Sequence, residues 1–166
     1  MGTIDSRTWM EIISQAECWK LLDEAPVGRL GVLVDSAPEI YPVNHMVDNG
    51  TIVFRTDPGT KLAGLAKSPS VCFQIDGIDP DGHRGWSVLV KGRATELHDP
   101  GERRQAAERN LHYWTVGPKP HWIRIEPREV TGRRIYRNTD DIAGRDVDGP
   151  VATEARFGPE WTPEAS

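Results

Sequence analysis

The chain has 166 residues, of which 37% are hydrophobic and 27% charged, with a net charge of −5. This is length enough for one domain with a sizeable core, or one domain and a tail. It contains no apolar run long enough to span a bilayer and no leader-like apolar stretch near its start, so no membrane association and a cytoplasmic location are expected.

The charge is unevenly placed. Residues 138–166 carry Asp140, Asp141, Asp146, Asp148, Glu154, Glu160 and Glu164 against Arg145 and Arg156, which accounts for the whole net charge. The remaining body is balanced, so no surplus basic face is left to release counterions, and nucleic acid is not expected as a partner. Cys18 and Cys72 lack Cys-x-x-Cys spacing and a nearby histidine cluster. They read as small core residues, with neither a disulfide nor a metal site implied.

In chain order, Ser14-Gln15-Ala16-Glu17 has the form of a capping box ahead of Cys18, Leu21, Leu22 and Ala25 at helical spacing. This predicts a short helix ending at Pro26. Residues 27–34 read as a strand, and the turn at Asp35–Pro38 leads into a hairpin of residues 40–47 and 51–54 joined by Asp48-Asn49-Gly50. Arg55 and Thr56 follow, then a turn at Asp57-Pro58-Gly59 and a short helical run opened by Thr60, the expected N-cap, and Lys61.

The start of that helix is a candidate anion site. Unpaired backbone N–H groups and the helix dipole favour negative charge there. Arg55 supplies a planar fork, Lys61 a mobile cation, and Thr56 and Thr60 hydroxyl donors. A cation in the first turn opposes the dipole unless an anion accompanies it. A solvated turn with incidental charges would carry the same residues. The order Gly59-Thr60-Lys61 does not match a nucleotide-hydrolysing P-loop.

Residues 70–76 form a fourth predicted strand, 77–85 a loop and 86–95 a longer strand in which Gly92 marks a bulge or a close backbone approach. Residues 100–111 read as an amphipathic helix stopped by Gly117-Pro118-Lys119-Pro120. Residues 122–125 and 129–136 supply closing strands separated at Pro127. Six or seven short antiparallel strands with few helices predict a closed or nearly closed β-barrel. Domain organisation is read as a barrel over 1–137 and an acidic tail over 138–166. The tail's composition predicts mobility, with Phe157 and Trp161 as the residues able to dock.

Five motifs in this order, Gly28-Arg29-Leu30, Pro42-Val43-Asn44, Phe54-Arg55-Thr56 with Gly59-Thr60-Lys61, Trp86-Ser87-Val88-Leu89-Val90-x-Gly92 and Thr131-Gly132-Arg133-Arg134-Ile135, resemble the pyridoxamine 5′-phosphate oxidase-like family. The resemblance covers roughly residues 15 to 136. It implies the mainly β FMN-binding split β-barrel fold, a Greek-key-like antiparallel barrel, in an obligate homodimer with flavin sites shared between subunits. By position, Arg55, Thr56, Thr60 and Lys61 correspond to the phosphate shell, and Pro42, Val43 and Asn44 to the strand beside the isoalloxazine. Trp86 and Ser87 correspond to a strand reaching the flavin from the partner subunit, and Trp122 to a cover for the ring. The alternatives are a turn residue for Asn44 and, as the favoured reading, a core aromatic for Trp122. His45, beside the flavin strand, is a weak catalytic candidate with packing as its alternative.

The implied function is that of an FMN-dependent oxidoreductase moving reducing equivalents between a nicotinamide donor and a small organic substrate. The deazaflavin F420, haem, or flavin held without turnover are the alternatives within the same fold. The acidic end in place of the terminal strand of the vitamin B6 oxidases points away from B6 oxidation itself.

Overall fold

The computed structural model describes residues 4–5, 10–79, 84–108, 119–136 and 147–148. Alternating apolar and polar residues build its strands, and the apolar set faces inward. In chain order the elements begin with β1 (Ile4–Asp5), β2 (Met10–Ile13), α1 (Gln15–Glu24) and β3 (Val27–Val34). The hairpin of β4 (Ala37–Asp48) and β5 (Thr51–Thr56) follows, then α2 (Thr60–Lys67) and β6 (Ser70–Asp79). The chain continues through β7 (Arg84–Glu96), α3 (Pro100–Glu108), β8 (His121–Ile135) and β9 (Val147–Asp148).

The sheet order is β5-β4-β3-β6-β7-β8, and a further β5–β8 pairing closes these six strands into a barrel. β8 makes the barrel a split one. It pairs with β7 along nearly its whole length, while its other edge is shared: residues 121–125 face β5 and residues 132–135 face β2. β1 extends the sheet antiparallel to β2, and β9 lies parallel to β1. The lumen is filled by Leu30, Phe54, Phe73, Ile75, Val88 and Ile125, all essentially inaccessible. Buried Cys18 and Leu22 of α1 plug one end. α2 lies across the opposite end of β3, where Gly64 sits against the Leu33 carbonyl.

Several expectations hold at atomic detail. Ser14 caps α1 by accepting the Glu17 amide at 3.2 Å. The register of β7 on β8 shifts between Lys91 and Gly92, the predicted bulge, and a Cβ on Gly92 would lie 2.4 Å from the Glu126 carbonyl oxygen. Others are corrected. β8 runs unbroken through Pro127, because the bulge falls opposite it, with Gly92 facing Pro127 and Lys91 facing Glu129. The loop expected at 77–85 is shorter, since cross-strand pairing carries β6 to Asp79 and starts β7 at Arg84.

The N-cap of α2 is Gly59, at φ +155°, and Thr60 is the first helical residue, without a side-chain cap. Cys72 lies on the exposed face of β6, so only Cys18 is a core thiol. β2 was missing from the sequence reading: Met10–Ile13 is strand by virtue of the β8 edge it covers. Phe157, Trp161 and most of residues 138–166 lie outside the described residues. The exception is β9, which falls within the predicted tail.

Candidate functional site

Arg55 and Thr56 end β5, and Thr60 and Lys61 open α2. They are joined by Lys119, which stands two residues ahead of β8. The Arg55 Nε donates to the Lys119 carbonyl at 2.6 Å, and the Lys119 amide donates to Asp57 Oδ1 at 3.2 Å. Lys119 holds this place with a left-handed φ of 34°. Thr56 is 4% exposed, and its hydroxyl donates to the Asp57 carbonyl at 3.2 Å. The Arg55 guanidinium lies 4.8 Å over the Trp122 ring, and Lys61 Nζ lies 5.1 Å over the ring of Tyr41.

Electrostatically the cluster is set for an anion. Burial holds the Lys61 ammonium below its ordinary range, the Lys119 charge lowers it further, and Asp57 offsets this in part. Arg55, Lys61 and Lys119 against Asp57 leave two positive charges in excess. These stand where the first N–H groups of α2 are unpaired by the helix itself.

The predicted flavin strand borders this cluster. β3 pairs with β4 from Ala37 to Asn44, whereas β5 covers the opposite edge of β4 only from His45 to Asp48 before turning away to β8. Pro42 and Val43 thus lie beyond the β4–β5 ladder, on the stretch of β4 from which β5 has turned away. Val43 points into the barrel, Pro42 outward, and the Asn44 amide donates to the Pro26 carbonyl at 3.0 Å.

Trp86 and Ser87 are not brought to the cluster. In the β7–β8 register they oppose Arg134 and Arg133, while Glu96 at the far end of β7 opposes Ile123. Ten residues of strand separate the two ends, about 30 Å. Around Trp86 lies a pocket of about 400 Å3, bordered by Gly77, Arg134 and Tyr136. There Arg134 bonds both Glu11 and Glu17, and the Tyr136 hydroxyl donates to Glu11, which is 1% exposed. Burial opposes the Arg134 charge, but its bonds to Glu17 and Tyr136 prevail and raise its pKa.

Trp122 is packed beneath Arg55 with Val53, Leu97 and Ala106, 7% exposed, as the core alternative describes. His45 is 5% exposed within the barrel, its Nε2 2.8 Å from the Leu22 carbonyl and its ring edge-on to Phe73. Burial lowers its pKa despite the Leu22 bond and Asp23, so it packs as a neutral ring. Sequence reasoning missed Lys119, because a lysine between two prolines reads as part of a helix stop. Nothing local reveals its bond to a residue 64 positions away.

The chain matches the family model described as pyridoxamine 5′-phosphate oxidase over residues 14–134. It is 35% identical over 132 residues to the uncharacterised Mycobacterium tuberculosis protein Rv0080, covering 76% of this chain and 86% of that one. Among solved structures, it is similar to the FAD-binding protein from Mycobacterium smegmatis, with 38% identity and a TM-score of 0.65 over 76% of this chain and 99% of that one. A FAD-binding protein from Mesorhizobium loti matches at 27% identity and a TM-score of 0.65, covering 75% and 97%.

Proposed function

The chain belongs to the pyridoxamine 5′-phosphate oxidase family, and we propose that it binds a flavin, FMN or its dinucleotide form, and serves as an oxidoreductase. One observation carries this reading: the stretch of β4 beyond its ladder with β5, at Pro42 and Val43, and the cations Arg55, Lys61 and Lys119 converge at one end of the barrel. A flavin presents the complementary pair, a ring edge that exchanges hydrogen bonds with a backbone and a phosphate bearing about two negative charges near neutral pH. The FAD-binding similar structures support the same class of ligand.

When bound, flavin supplies the two-electron chemistry, here between a nicotinamide donor and a small organic acceptor. The chain's residues bind and orient. Lys61 and Lys119 neutralise the phosphate, Trp122 holds the Arg55 fork in place, and the β4 backbone sets the register of the ring edge. A hydride step requires no protein acid, in keeping with His45 being neutral and packed.

The flavin site is completed by a second copy of the chain. Trp86 and Ser87 lie about 30 Å of extended strand along β7 from its far end at Glu96, and a second copy would bring them to the flavin. Ile12, Ile40 and Ile78, on outer strand faces, are 72, 71 and 74% exposed, apolar area that a homodimer would cover. The test is a titration of the full-length protein with riboflavin and FMN, followed by flavin fluorescence, with the absorption spectrum of the purified protein separating flavin from F420 and haem. Micromolar or tighter FMN binding with weaker riboflavin binding is expected. No binding of either would refute the proposal, and NAD(P)H consumption by the loaded protein tests turnover.

A further inference from the structure

We propose that the cavity of about 750 Å3 between α2 and the ends of β7 and β8 receives the adenosine half of FAD, making the dinucleotide the preferred flavin. The inference rests on the flavin reading above and specifies its ligand. α2 stands between two features. Lys61 faces the cation cluster, while Leu62 and Ala66 form a wall of the cavity, completed by Pro69 and Ile123. Gly59 stands at the helix end that both features share. This residue caps the helix, lines the cavity, and has no atom within 4 Å of where a Cβ would stand.

The cavity's chemistry suits a nucleoside. Its walls are mainly apolar, so a planar base can bury its faces against Leu62 and Ile123. Its polar side chains are Arg93, Thr95, Glu96 and His98, and the Glu96 carboxylate accepts from His121 Nδ1 at 2.7 Å. Together they can take ribose hydroxyls or an exocyclic amine. His121 stands opposite Thr56 in the β5–β8 register, so this pair adjoins the proposed phosphate site. A molecule anchored by phosphate at Arg55, Lys61 and Lys119 needs only to turn around the α2 N-terminus to enter. FMN and the pyrophosphate of FAD each carry about two negative charges near neutral pH, so the cations alone do not separate them. The cavity does.

The experiment titrates FMN, FAD and ADP into the full-length protein and into Ala63→Trp. Ala63 lines the cavity from an exposed position on α2, where an indole fills the space without entering the core. FAD is expected to bind the parent at least about tenfold tighter than FMN, ADP to compete with FAD, and Ala63→Trp to erase the FAD advantage while leaving FMN affinity unchanged. FMN binding as tightly as FAD, or ADP failing to compete in the parent, would overturn this inference and leave the flavin reading standing. Equal losses of FMN and FAD in a variant whose thermal midpoint matches the parent would overturn it too. Failure of riboflavin, FMN and FAD alike in the parent would overturn the flavin reading and this inference with it.

Discussion

Replacing Lys119 by alanine isolates the charge that sequence reading missed. Two contacts that hold this residue, the carbonyl accepting from Arg55 and the amide donating to Asp57, use its main chain and survive the substitution. What is lost is the ammonium. A hydrogen bond to a charged group is worth about 1.5–3 kcal/mol, and partial exposure of Lys119 reduces this to about 1–2 kcal/mol, a 5- to 30-fold weaker FMN dissociation constant. Arg55→Ala should cost more, about 2–4 kcal/mol, because it removes a two-donor fork and frees the Lys119 carbonyl as well. Riboflavin has no phosphate, so its affinity should barely respond to Lys119→Ala. Titration of both flavins by fluorescence at low and high salt is the assay, and the FMN loss should shrink as salt screens the site. Equal losses for FMN and riboflavin, or none for FMN, would refute the placement of a phosphate beside Lys119.

The other expected outcomes follow from burial and packing. Lys61 is charged at neutral pH in both folded and unfolded chains, but its folded pKa lies below the ordinary 10.5, so its charge is a standing penalty. Apo Lys61→Ala should therefore be as stable as the parent or more so at pH 7, and chemical denaturation should show that gain vanishing as pH rises past 10.5. His45 is depressed below 6.5, so the unfolded chain takes up its proton first and stability falls as pH drops through 6.5 toward the folded value. His45→Gln, which can keep a donor to the Leu22 carbonyl, should flatten that part of the stability profile. Gly92→Ala places a Cβ against a main-chain oxygen and should cost about 1–3 kcal/mol, lowering the thermal midpoint by about 3–10 °C. Sizing by light scattering should find a dimer, and a flavin-loaded monomer at micromolar concentration would sink the shared-site proposal.

The parts of the fold written in local chemistry were legible. Asp48-Asn49-Gly50 announces the hairpin, Ser14 the cap of α1, and Gly92 the bulge of β7, each because a turn, a cap or a close approach admits few residue types. The misreadings depend on long-range pairing. Pro127 looks like a strand breaker until the bulge on β7 falls opposite it, and Met10–Ile13 is too short to declare itself without the edge of β8. Cys72 sits among apolar neighbours in sequence, but period-2 alternation puts it on the outer face. At the site, Arg55 and Lys61 stood close enough in sequence to be grouped, whereas Lys119 required the barrel to close.

That closure depends on one strand, and β8 lies late in the chain. Its partners β5, β7 and β2 emerge from the ribosome before it, and the Glu11–Tyr136 bond spans 125 positions. During synthesis the meander from β3 to β7 can therefore pair while both its outer edges stay open, and α1 has no finished barrel to plug. Arg55, Trp122 and Lys119 assemble only when β8 slots between β5 and β7, so the cation cluster comes into being with the last strand of the barrel. A nascent chain short of β8 has open strand edges and no cation cluster, and it is during this interval that the protein is most exposed to misassociation with its neighbours.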